Sequence, residues 1–381
     1  MTILSVCTLL KKLCFSIVTF SFFYAPIALS NNESVNSGLS LGQQKSQTYI
    51  KSYATSFNST NIQPISDILE DDWEGGVSKS SDFGLSQSKI GIELGVKNWR
   101  LVYETRNDHF LTTNESSARL YQYTKTSFPT TKSAYDLNIH YRKLQAKGIK
   151  VGYMWQPIKT FSITNYFGVW RPTTIRNSRL LGDVVSEGIV TGVAQLEEWY
   201  SYKNLLKRQI DSDWGEGTGK TWDLVINWQP TENLILGLDI IDLFSKFDFD
   251  HLGYSSGTLN SSTTYRDEDN ILRFNPAYSG VESEKPFSWD LPKSISLTAS
   301  YAKDDIEYLL AINKRDLNTS IVLGAGFDIA QGVFRSGYDI KNKAIQVSYS
   351  NSWFEGLVMT DNLDISDAKT FSLSLSANLK F

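Results

Sequence analysis

The sequence predicts an all-β fold, a transmembrane antiparallel up-and-down β-barrel of about 16 strands, with about 14 as the alternative if two weak segments extend loops instead of crossing. Two observations predict it. Apolar and polar residues alternate with period two through one short run after another, and the connections between runs are either very short or very long. A mean hydropathy of -0.25 alongside 13% aromatic residues fits this fold. Lipid-facing and lumen-facing residues alternate along such strands and average to a polar composition. Past residue 30 no apolar run reaches the length of a spanning helix.

In chain order, the apolar faces are Ile90, Ile92, Leu94, Val96; Trp99, Leu101, Tyr103; Tyr135, Leu137, Ile139, Tyr141; and Ile149, Val151, Tyr153, Trp155. They continue with Trp222, Leu224, Ile226, Trp228; Leu234, Leu236, Leu238, Ile240; Ile295, Leu297, Ala299, Tyr301; and Ile306, Tyr308, Leu310, Ile312. Ile321, Leu323, Ala325, Phe327 and Ile345, Val347, Tyr349 follow. The last run puts Phe371, Leu373, Leu375, Ala377, Leu379 and Phe381 on one face, with Ser372, Ser374, Ser376, Asn378 and Lys380 on the other. Weaker strands near 47–57, 117–126, 161–171, 331–340 and 353–361 complete the alternation of direction.

The short connections are Lys97-Asn98, Gln156 to Lys159, Gln229 to Glu232 and Lys303 to Asp305, which suit tight turns. The long ones run near 58–86, 172–219 and 244–292. The terminal strand ending in Phe381 resembles the last strand of bacterial outer-membrane β-barrels, whose final aromatic residue is read by the insertion machinery. That resemblance implies a Gram-negative outer-membrane location with Phe381 at the periplasmic side. Counting back from it sends every short turn inward and every long segment outward, the asymmetry these barrels show. Trp155, Trp228, Tyr301, Tyr349 and Phe381 then form a membrane girdle at one depth.

The N-terminus has the parts of a secretory signal: Lys11 and Lys12, an apolar run from Leu13 to Leu29, and the exit Ala28-Leu29-Ser30. Residues 1–30 are expected to be cleaved near Ser30, leaving a short polar periplasmic tail over 31–46 and one barrel domain over 47–381. Both cysteines, Cys7 and Cys14, lie in the signal, so the mature chain lacks the ligands and nucleophiles of thiol chemistry. Removing two of 37 basic residues and none of 41 acidic ones makes the mature charge 35 minus 41, or -6, which argues against a nucleic-acid partner. The expected partners are outer-membrane lipid, lipopolysaccharide and the insertion machinery.

If the apolar faces meet lipid, the opposite faces put Arg100, Glu104, Arg106, Asp136, His140, Arg142, Lys150, Asp223, Asp239, Glu307 and Arg315 in the lumen. There they either line a water-filled pore or pair with one another in a closed one. Acidic clusters at Glu70 to Glu74, Asp211 to Glu216, Asp248/Asp250 and Asp267 to Asp269 lack the spacing of a calcium loop and read as solvated charge. No metal or cofactor is expected.

The three histidines, His109, His140 and His251, are the candidate catalytic groups. Asp108-His109 and Asp250-His251, with Ser255 or Ser256, make a surface hydrolase conceivable, but no segment matches the outer-membrane phospholipase or omptin patterns. The expectation is therefore not an enzyme. The first functional expectation is a porin-like channel for small hydrophilic solutes, although no Pro-Glu-Phe-Gly-Gly constriction motif is present. The second is a non-conducting barrel whose loops bind a polysaccharide or protein. The third is a hydrophobic-solute transporter, because Trp289-Asp290-Leu291-Pro292 before Ser294 resembles a feature of fatty-acid transporters; an N-terminal hatch is lacking.

Overall fold

A computed structural model describes residues 48–381 apart from 71–72, 74–75, 127–130, 187–189, 203–215, 261–263, 267–271, 275–277 and 330. The signal, the tail over 31–46 and most of the acidic loop clusters lie outside the described residues.

The strands are β1 (Tyr49–Thr60), β2 (Phe83–Val96), β3 (Trp99–Thr112), β4 (Ser133–Ile158), β5 (Phe161–Ser186) and β6 (Val190–Tyr200). Next come β7 (Gly217–Thr231), β8 (Leu234–Asn260), β9 (Thr264–Arg266), β10 (Leu272–Phe274), β11 (Tyr278–Trp289) and β12 (Ser294–Lys303). The chain ends with β13 (Ile306–Arg315), β14 (Asn318–Ile329), β15 (Gly332–Asp339), β16 (Ala344–Asn351), β17 (Phe354–Thr360) and β18 (Thr370–Lys380). Fourteen close the barrel: β1 to β5, then β7 and β8, then β12 to β18, with two more, β6 and β11, completing a 16-stranded sheet. Closure is antiparallel, Tyr49 opposite Lys380, and the Phe381 N–H donates to the Thr48 carbonyl at 2.9 Å.

Alternation does what lipid requires. Ile90, Ile92, Leu101, Tyr103, Val151, Leu297, Leu323 and Ile345 are exposed on the outer wall, whereas their neighbours in sequence point inward. The girdle residues Trp155, Trp228, Tyr301 and Phe381 are exposed at the inner ends of their strands.

Three expectations are corrected. The strand expected over 117–126 is a helix, α2 (Glu115–Lys125), capped by the Asn114 side chain, which accepts from the Ser117 N–H. A shorter helix, α1 (Ile65–Glu70), precedes it. The runs 135–141 and 149–155 belong to one strand, β4, 26 residues long. Losing one strand to a helix and one to fusion keeps the parity, so the orientation of every later strand is unchanged. Finally, much of 172–219 and 244–292 is strand. The upper parts of β4, β5 and β8, with β6 and β11, build a five-stranded wall. At about 3.3 Å per residue, strands of 26 and 27 residues far exceed the roughly ten needed to span, so this wall stands above the membrane. β6 and β7 share one column against β5 and β8, and β11 and β12 share another against β8.

Candidate functional site

Inward-facing side chains fill the lumen in layers. In the lowest, Gly91 and Gly95 on β2 face Tyr53 and Tyr49 on β1, and a Cβ at either glycine would come within 2.5 and 2.1 Å of the ring. The rings therefore lie flat across the sheet. Gly148 and Gly152 on β4 give Trp170 and Tyr166 the same bed. Tyr49 donates to Glu93, and Tyr53 donates to Glu104. Arg100 stacks over Tyr49, 5.1 Å from the ring centre, and donates to the Lys97 carbonyl at 2.7 Å.

Above this lies a charge network. Lys150 Nζ is 3.0 Å from Glu104 and 3.3 Å from Asp223. Arg106 donates to Asp108 at 2.6 Å, and in a two-pronged contact at 2.9 and 2.8 Å to Asp242, reaching from β3 to β8. Asp242 sits at a bulge where β7 and β8 lose register, in the left-handed region at φ 56°, and its N–H donates to Asp223 at 2.8 Å. The Trp170 ring lies near both cations, 5.3 Å from Arg106 and 5.7 Å from Lys150, and is fixed by its N–H to Thr221. Arg100, Glu104, Arg106, Asp108, Lys150, Asp223 and Asp242 are all buried. Pairing is what makes this tolerable, because an uncompensated charge here would carry a large desolvation cost.

The next layer is apolar. Phe57, Leu85, Phe110, Leu144, Trp170, Ile175, Phe247, Phe249, Leu252, Trp289 and Leu291 form one buried cluster. The 290–293 junction between β11 and β12 brings Leu291 into it, held by reciprocal hydrogen bonds with the Ser245 hydroxyl, and Trp289 meets Phe110 edge to face. Above it the β-wall adds Trp199, Tyr254 and Phe287, with Lys285 3.6 Å over the Tyr254 ring.

The opposite side of the lumen, from β12 to β18, is rich in small hydroxyl residues, set among larger ones such as Leu309, Leu357 and Met359. Ser296, Thr298, Ser348, Ser372, Ser374 and Ser376 are half-buried there, broken by an Arg335–Glu307 pair at 2.8 Å.

All eleven predicted lumen residues occupy inward register positions, at different depths. Arg100, Glu104, Arg106, Lys150 and Asp223 come together in the network. Arg142 reaches Asp316 at 3.2 Å, His140 meets Asn177 at 2.8 Å, and Arg315 lies 4.2 Å over Phe57. Asp136 is exposed on the β-wall, Asp239 is half-buried in the lower lumen, and Glu307 belongs to the small-residue side. Tyr49, Tyr53, Trp170 and Asp242 were not singled out by sequence reasoning, and Asp108 was named only as a partner for His109. A signal for the rings exists in the Gly-x-x-x-Gly spacing of 91/95 and 148/152 on inward positions.

The conceivable Asp-His pairs do not form. Asp108 points inward to Arg106, whereas His109 contacts Tyr141 at 2.8 Å and Asn107 at 3.0 Å; His251 pairs with Glu284 at 2.7 Å, and Ser255 donates to Tyr200. Closed strand pairing, an exposed apolar belt and a charged interior decide the class. The protein is a closed antiparallel β-barrel with a lipid-facing outer wall.

No family model and no curated protein matches the chain. Among solved structures it is similar to the Pseudomonas putida toluene transporter TodX, at 11% identity over 90% of each chain with a TM-score of 0.41. A Pseudomonas aeruginosa FadL homologue follows at 11% identity, 89% and 90% coverage and a TM-score of 0.39. The outer-membrane protease OmpT of Escherichia coli reaches 10% identity, 92% and 99% coverage and a TM-score of 0.22.

Proposed function

We propose that the barrel passes small apolar or amphipathic molecules across the outer membrane, engaging them first at the aromatic layer of the upper lumen. One observation carries this reading: Phe57, Phe110, Trp170, Phe247, Phe249 and Trp289 converge from strands around the barrel into a single apolar cluster. Rings gathered on the inner surface of a membrane barrel offer an apolar solute the same contacts they offer one another. Beneath them the Arg106–Asp242 contact crosses the path, so passage requires that pair to part or the solute to skirt it along the serine-rich side.

The test is the initial uptake of radiolabelled naphthalene by cells with an intact lipopolysaccharide leaflet. Expected is faster uptake with the protein than without it, and loss of the gain in Phe110→Ser/Phe247→Ser, with folded levels checked by heat-modified gel mobility. Equal uptake with and without the protein would refute the reading.

A second reading, passive diffusion of hydrophilic solutes, is favoured by the half-buried hydroxyl wall from Ser296 to Ser376. Purified protein in a planar bilayer separates the two. Stable conductance steps in potassium chloride without naphthalene uptake select the hydrophilic channel, and neither signal leaves a barrel that anchors its external wall.

A further inference from the structure

On the outer wall the apolar belt of neighbouring strands gives way to polar side chains at one height. On β4 the outward residues Trp155, Tyr153, Val151 and Ile149 are followed by Lys147, Gln145 and Lys143; on β3 Trp99, Leu101 and Tyr103 are followed by Thr105 and Asn107. Lys147 lies eight residues above Trp155. At about 3.3 Å per residue and a tilt of about 40° that is about 20 Å, close to the upper edge of an apolar band roughly 25 Å tall.

At this height the wall is indented. Gln145 pairs with Thr174 and Ala146 with Pro172, so Thr173 is a bulge residue, and its hydroxyl donates to the Gln145 carbonyl at 3.2 Å. A bulge bends its strand and re-aims the side chains beside it. The result is a recess of about 300 Å³ with an apolar floor that includes Ile90 and Ala146 and a polar rim that includes Thr105, Asn107, Gln145 and Lys147. Lys147 is exposed and the half-buried Lys143 stands two outward positions above it; among the described residues no carboxylate pairs with either. Arg171, two residues before the bulge, has a side chain 77% exposed, paired among the described residues with a Glu216 that is 79% exposed. Such a pair is weak and readily exchanged.

A dent in a lipid-facing surface with hydroxyls, amides and Lys147 at its rim and Lys143 and Arg171 beside it, at the level where acyl chains end, complements an anionic, hydrogen-bonding headgroup. We propose that this recess is a docking site for the phosphorylated glycolipid of the outer leaflet. Lys147, Lys143 and Arg171 meet its phosphate, and Asn107, Gln145 and Thr105 face its sugar. The site lies outside the lumen and is independent of what the barrel passes.

The experiment is native mass spectrometry of the purified full barrel titrated with bisphosphorylated lipid A, dephosphorylated lipid A or inorganic phosphate. Expected is one bisphosphorylated lipid A per barrel. Occupancy should fall about fivefold in Lys147→Glu/Arg171→Glu, as for two exposed charge contacts, and stay unchanged in Lys314→Glu/Lys341→Glu on the far side of the barrel. Displacement of the lipid by millimolar phosphate alone would overturn the proposal in favour of a simple anion site. Equal retention of the dephosphorylated lipid, an arm that needs no variant, or equal losses in the two double variants would overturn it outright.

Discussion

Arg106 carries its charge to a level of the lumen from which solvent is displaced, and its stability there depends on Asp108 and Asp242 together. Removing the cation alone strands two buried carboxylates, whereas neutralising all three leaves none. Arg106→Met is therefore expected to destabilise the barrel by about 3–5 kcal/mol, and Arg106→Met/Asp108→Asn/Asp242→Asn to recover most of that loss. Urea unfolding in lipid vesicles measures both; equal losses would mean the three act independently. His140 poses the converse problem on the wall above the membrane. Burial pushes its pKa below the ordinary 6.5, with flanking Arg142 and Arg179 adding to the effect and the Asn177 contact opposing it. The folded wall thus resists a proton that the detached strand accepts, so local stability is complete above about pH 6.5 and falls as pH drops through that value. Amide protection factors at the His140–Arg179 rung, taken relative to the intrinsic exchange rate at each pH, should fall between pH 7.5 and 5, and most of that fall should vanish in His140→Gln.

At the scale of single elements, β18 shows how far alternation alone specifies facing. Its pairing with β1 and β17 puts Leu375 on the lipid side and Ser374 on the lumen side near mid-strand. Leu375→Arg is expected to cost about 2–4 kcal/mol and to impair insertion, whereas Ser374→Arg should be tolerated. Comparable outer-membrane levels of the two variants would show the facing to be reversed. Helix α2 behaves differently, because nothing in a period of two announces it. The cap at Asn114, Glu115 in the first turn and Lys125 in the last are helix signals, but they are local and were outweighed by the need for a strand to preserve parity. Its Leu120 and Tyr123 pack with Tyr135 and Leu137 of β4, covering a face that would otherwise be apolar and wet.

For the whole molecule, closure is the governing constraint: a barrel has no free edge only if β1 finds β18, and Phe381 lies at that seam. Deleting Phe381 should slow assembly in cells without altering the rest of the sheet, as followed by the rate at which heat-modifiable protein accumulates. Unchanged kinetics would remove the terminal aromatic from the insertion step. The layered lumen is also a property of the whole. The aromatic cluster draws on β1, β3, β5, β8 and the β11–β12 junction, and no one of these strands carries enough apolar surface to suggest it.

The amino-acid order by itself determined the class, the direction of the strands and which side chains face lipid. In a membrane each of these follows from a local rule, period two along a strand and short turns on one side. The same rule fails above the membrane. There the upper halves of β5 and β8, with β6 and β11, face water or other protein, so their alternation carries no hydrophobic contrast and the segments read as loops. The lumen-facing charges were legible as a set but not as a network. Which carboxylate Arg106 meets depends on a bulge in β8, 136 residues away in the chain. Only the closed barrel decided that those charges are buried in pairs beneath an aromatic layer, because pairing and desolvation are fixed by distances across the lumen and not by order along a strand.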